Sequence, residues 1–134
     1  MSTIQQMFDA HPDTVETDGQ LAARCVRACS ECVEVCTACA DACISEKKTD
    51  LAKCIRLNQD CADICAVTGR LIARPSQSDA PMLRALLEAC VLACRACSDE
   101  CQRHGKHMEH CRICSEACDR CAVACLDMLA VIVA

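Results

Sequence analysis

The chain has 134 residues, 53% of them apolar, with 18 cysteines, Phe8 as its single aromatic residue and a formal net charge of -5. That length suffices for one domain with its own core, while three Gly and three Pro leave too little turn material for an all-β fold. Net acidity argues against a nucleic-acid partner, and the longest apolar stretch, near the C-terminus, is interrupted by Asp127, so no membrane span is expected.

Residues 3–10 form a short leading helix with Ile4, Met7 and Phe8 on one face. This N-terminal stretch has neither a basic region nor a continuous apolar run, so no export signal is read and a cytoplasmic location is expected. After His11-Pro12-Asp13, long helices are predicted over 18–45, 49–73, 79–104 and 107–132. Thr49 or Asp50 suits the N-cap of the second, and Asp79 that of the third, where Pro81 falls in a tolerant first turn. Gly105 suits the C′ position after the third. Short links make successive helices antiparallel. The expected fold is therefore all-α: an up-down-up-down four-helix bundle with a short N-terminal helix. Residues 1–134 form a single domain, with 1–17 as helix and linker and 18–134 as the bundle.

Each long helix carries a stripe of cysteines. The first holds Cys25, Cys29, Cys32, Cys36, Cys39 and Cys43; the second Cys54, Cys61 and Cys65, with Asn58 at the missing step. Cys90, Cys94, Cys97 and Cys101 follow in the third, then Cys111, Cys114, Cys118, Cys121 and Cys125 in the fourth. Steps of three and four put each set on one helical face, the face a bundle turns inward. Arg27, Glu31, Glu34 and Asp41, and later Arg95, Asp99, Arg112, Glu116, Asp119 and Arg120, fall on the opposite faces and are read as solvated.

A high cysteine content first suggests a secreted disulfide scaffold, but neighbours on one ideal helix face do not present the Cβ geometry of a relaxed bridge. Cysteine as a small buried apolar residue explains one position, not four stripes, because Leu, Ile and Val pack better and resist oxidation. Thiolates are soft ligands, which leaves Cu(I), zinc or an iron-sulfur cluster. Helix lacks the looping backbone of cluster-binding motifs. Isolated zinc sites of four thiolates would each bury two negative charges, whereas about one Cu(I) per thiolate leaves the column neutral. A zinc or general heavy-metal reservoir stays as the alternative. A thiol redox enzyme would need only one Cys-x2-Cys pair, and no βαβ pattern places one, so no enzymatic activity is expected.

With passages such as Cys25-Val26-Arg27-Ala28-Cys29-Ser30-Glu31-Cys32 and Cys111-Arg112-Ile113-Cys114-Ser115-Glu116-Ala117-Cys118, the chain resembles the bacterial copper storage proteins, cysteine-rich four-helix bundles. The resemblance covers residues 25–125. It implies Cu(I) bound along the inside of each bundle by the 18 cysteines and assembly into a homotetramer; with no export signal read, the chain is similar to the cytosolic type of the family. Copper ions are the expected partners, brought or removed by small copper chelators or a copper chaperone.

Alternating helices bring residues near 45, 49, 104 and 107 to one end of the bundle. Continuing two stripes reaches His104 and His107, with Met108 and His110 close by, and His104 is the histidine expected to add a ligand at this mouth. The other end collects Leu21, Ile72, Leu83, Leu86, Leu87, Met128 and Ile132, which predicts a dry floor, with Ile4, Met7 and Phe8 folded over it.

Overall fold

A computed structural model of the protein describes residues 2–13 and 19–132. Its helices are α1 (Thr3–Asp9), α2 (Gly19–Ser45), α3 (Ala52–Ile72), α4 (Ala80–His104) and α5 (Glu109–Val131). Residues 14–18, expected to join the linker to the first long helix, lie outside the described residues.

The four long helices close into a ring. α2 packs on α3 and α5, and α4 on the same two helices, while the diagonal pairs meet only through side chains on the axis. Sulfur pairs fix the directions. Cys25, Cys32 and Cys39 on α2 face Cys125, Cys118 and Cys111 on α5, and Cys54, Cys61 and Cys65 on α3 face Cys101, Cys94 and Cys90 on α4. Residue numbers rise along one partner as they fall along the other, so both pairs are antiparallel.

Local chemistry sets the helix ends. Ser2 caps α1 by accepting from the Gln5 N–H at 3.2 Å, and Asp79 Oδ1 caps α4 by accepting from the Met82 N–H at 2.9 Å. The other two expected end signals work differently. Leu51, not Thr49 or Asp50, is the N-cap of α3, without a side-chain bond; its side chain is buried in the core, one step beyond Cys54. Gly105 remains right-handed at φ -64, because the chain keeps turning until the Met108 N–H reaches His104 O at 3.0 Å. Left-handed residues occur instead at Lys47, φ 56, just past α2, and at Gln77, φ 58, in the link between α3 and α4.

Small residues let the ring close tightly. A Cβ on Gly69 would stand 3.3 Å from Cys29 Cβ, so α2 and α3 approach each other over a missing side chain. Between α4 and α5, Ser98 Oγ donates to Asp119 Oδ1 at 2.6 Å and lies 2.9 Å from Ser115 Oγ, which satisfies the polar atoms buried there.

The floor is apolar. Ile72, Leu87 and Met128 are buried, Leu21, Leu83 and Ile132 pack against them, and Phe8 is buried with Ile4 beside it. Met7 differs from expectation: it is 64% exposed, because α1 is only seven residues long and buries one edge. Among the described residues, no helix is long and apolar enough to cross a membrane.

Candidate metal centre

Period 3.6 on four inward faces puts sulfur where a bundle normally stacks leucine. None of the 18 cysteines is more than 2% exposed, and all are free. Their sulfurs form a continuous column. Cys36 and Cys118 lie 3.5 Å apart, Cys32 and Cys36 3.6 Å, Cys65 and Cys94 3.7 Å, and Cys29 and Cys121 3.8 Å. A metal–sulfur bond of about 2.3 Å, the zinc–thiolate value, separates trigonal sulfurs by about 4.0 Å. The thiols thus already stand near the spacing that a shared soft ion imposes.

Groups able to surround one ion overlap. Cys29, Cys90, Cys121 and Cys125 form one, and Cys32, Cys61, Cys65 and Cys94 another; Cys36 belongs both to a set with Cys32, Cys61 and Cys118 and to a set with Cys97, Cys114 and Cys118. A sulfur held in common can bridge two ions, which separate closed sites would not allow.

Asn58 interrupts the sulfur on α3 without leaving a gap. Fully buried, its Oδ1 accepts from Cys97 Sγ at 3.0 Å and Cys114 Sγ at 3.1 Å, and its Nδ2 donates toward Cys54 Sγ at 3.8 Å. Thr68 ends the α3 stripe by donating to its own helix, to Ile64 O at 2.8 Å.

Crowding makes the thiols share protons unequally. Hydrogen bonding from Cys125 lowers Cys25 to about 5, and that from Cys29 acts with it. Cys39 is lowered to about 6, first by Cys101, with Cys54 and His110 acting in the same direction. Burial pushes Cys43 up to about 12, reinforced by the charges of Cys39 and Cys54, and burial likewise raises Cys111, with the charge of Cys39 next. A protonated neighbour therefore stabilises each thiolate, and a monovalent cation replaces those protons without adding net charge.

The mouth singles out one histidine. His110 Nδ1 lies 3.3 Å from Cys39 Sγ and 3.6 Å from Cys111 Sγ, and the ligand atoms of Cys39, Cys43, His110 and Cys111 all lie within 4.8 Å of one another. Its Nε2 stands 2.9 Å from Glu46 Oε2. Burial opposes the imidazolium, but the Cys39 thiol and the Glu46 carboxylate outweigh it and raise the pKa of His110. His104, the expected mouth ligand, is 12% exposed and holds Glu100 Oε2 at 3.2 Å through Nε2; His107 is exposed. The stripe could have been extended another way, since His110 is four residues before Cys114. Extension by helical period to His107 runs through a turn, because α5 begins only at Glu109; His104 does end α4, but its ring is held by Glu100 and not by a thiol. Met108 is buried one step beyond Cys111.

Against known proteins, the sequence model of the copper storage protein family matches residues 18–130. The chain is 45% identical to the copper storage protein of Streptomyces lividans loaded with 10 copper equivalents, with TM-score 0.93, covering 96% of this chain and 98% of that one. A structure of a cytosolic copper storage protein from Streptomyces lividans with five coppers is 50% identical, with TM-score 0.81, over 83% and 93% of the two chains. The Cu(I)-bound copper storage protein of Bacillus subtilis is 34% identical, with TM-score 0.69, over 81% and 98%. A cysteine-rich protein of Bacillus subtilis is 37% identical over 60 residues, 45% of this chain and 54% of that protein, so the chain spans about half the length of that curated relative. A match over most of the chain, with a solved structure of the same fold at this identity, places the protein in the copper storage protein family.

Proposed function

We propose that the protein is a non-enzymatic cytosolic store for Cu(I), with all 18 cysteines as ligands at about one ion per thiolate. The observation that carries this reading is the column of 18 buried free thiols, in which many neighbouring sulfurs lie 3.5 to 4.0 Å apart and Asn58 joins Cys97, Cys101 and Cys114 at one level. Monovalent soft ions neutralise such a column, whereas divalent ions in four-thiolate sites leave negative charge in a water-poor interior. The cytosolic location is supported by the likeness to the Streptomyces lividans protein. Small chelators or a copper chaperone fit as donors and acceptors at the mouth, where His110 is the half-exposed nitrogen ligand. Assembly as a homotetramer follows from the family resemblance, and exposed Leu92, Ile113 and Val123 offer apolar area for it.

Cys39, Cys43, Cys111 and His110 also form a three-sulfur, one-nitrogen set of the kind that suits zinc. Anaerobic titration of the reduced apoprotein with Cu(I) and separately with Zn(II), counting bound ions and free thiols, tests both readings. Storage predicts many Cu(I) ions and few Zn(II) ions. A high Zn(II) count at equal thiol protection would overturn it in favour of a zinc reservoir.

A further inference from the structure

The column accounts for the sulfurs but not for Glu46. This residue lies just beyond the last turn of α2, its N–H bonded to Ala42 O at 3.1 Å and Cys43 O at 3.2 Å, and the left-handed Lys47 then turns the chain away. The turn brings the Glu46 carboxylate across to α5, where it meets His110 Nε2 at 2.9 Å. Side-chain exposures of 32% for Glu46 and 26% for His110 place the pair at the rim, between solvent and sulfur.

A neutral imidazole carries one proton, and the partner of one nitrogen decides which nitrogen keeps a free lone pair. A carboxylate accepts but cannot donate. Glu46 therefore selects the form protonated on Nε2, and the Nδ1 lone pair is left directed at Cys39 and Cys111. His104 provides the contrast: its Nε2 meets the Glu100 carboxylate in the same way, yet among the described residues no thiol bonds to its ring.

We propose that Glu46 is a positioning residue for copper transfer: by accepting the Nε2 proton of His110, it fixes the ring and presents Nδ1 to an ion passing between the outside and Cys39, Cys43 and Cys111. Glu46 touches no ion itself. The role rests on the Cu(I)-storage reading, but its first consequence is a property of the copper-free protein. Carboxylates behind metal-ligating histidines fix ring orientation and raise ligand basicity, and their loss typically costs about 10- to 100-fold in affinity or activity.

The test uses the full chain, reduced and copper-free, labelled with 15N at histidine. Long-range 15N–1H spectra, taken above the range in which imidazole titrates, should show His110 protonated on Nε2 in the wild type. Glu46→Ala removes the acceptor, and Glu46→Gln offers an amide that can donate as well as accept, so both should give a mixture of tautomers. Stopped-flow transfer from a chromophoric Cu(I) chelate should then be slowed about tenfold in Glu46→Ala. An unchanged tautomer in Glu46→Ala, or a wild-type transfer rate in that variant, would overturn the role. The wild-type endpoint in the same experiment tests storage separately: uptake of only a few ions would sink that reading and leave the tautomer result standing.

Discussion

Asn58 Oδ1 accepts a hydrogen bond from Cys97 Sγ at 3.0 Å in the middle of the bundle, where every neighbouring stripe position is sulfur. One amide thereby ties α3 to α4, and through Cys114 to α5. Asn58→Ala should cost the apoprotein about 2 kcal/mol, from lost bonds and a new void. Asn58→Cys restores the stripe and should raise Cu(I) capacity by about one ion. Chemical denaturation and titration endpoints check the two outcomes.

Cys36 and Cys118, 3.5 Å apart at the centre of the column, each belong to two of the groups able to surround an ion. Replacing both with Ala should lower capacity by at least two ions and leave the helical content intact, because Ala is the best helix former. Metal counting with circular dichroism reads both.

The mouth histidines should separate kinetically. His110→Ala removes the nitrogen that faces Cys39 and should slow uptake about tenfold. His104→Ala mainly releases Glu100 and should leave the rate close to that of the wild type. Stopped-flow transfer from a Cu(I) chelate distinguishes the two variants.

Alkaline pH should weaken the apoprotein more than the loaded protein. In the folded apo state Cys43 holds its proton up to about 12 against an ordinary thiol value of 9.0, and Cys111 is raised as well. The folded state then binds more protons than the unfolded chain between those values. The stabilising contribution is complete below pH 9.0 and falls as the pH rises toward 12. Metal-bound thiolates have no proton to lose, so copper-loaded protein should show a flatter profile in melting experiments over the same range.

The closed end should matter for stability and not for cargo. Phe8, the single aromatic residue, is buried in the same apolar cluster as Ile72, Leu87 and Met128. Phe8→Ala should cost about 3 kcal/mol, at the low end for a large aromatic truncation because α1 is peripheral, with copper capacity unchanged. Thermal melts and titration of one sample measure both.

Much of this organisation is legible in the sequence because cysteine is both the pattern and the chemistry. Steps from Cys25 to Cys43 give the helix, its inward face and the soft ligand set together, and Asp79 before Pro81 marks a helix start through a local bond. Features that depend on the chain between helices are not legible. Leu51 supplants Thr49 and Asp50 because burial beside Cys54 outweighs a side-chain cap. Gly105 stays right-handed because the turn continues to Met108. His110 stands beside the thiols where His104 does not, because the ring of His104, at the end of α4, is held by Glu100; and no helical period can be carried to His107 through residues that are not helical. Glu46 gives no periodic signal at all; its role comes from the left-handed turn at Lys47.

Native mass spectrometry of the fully reduced protein, titrated with Cu(I) under strict exclusion of oxygen, tests the central claim most directly. A Cu(I) store with all its cysteines as ligands should give a ladder of copper-bound species that ends near one ion per cysteine, with thiol-reactive probes excluded from the loaded chain. A ladder that stops after a few ions, or a starting mass lowered by native disulfides, would contradict it.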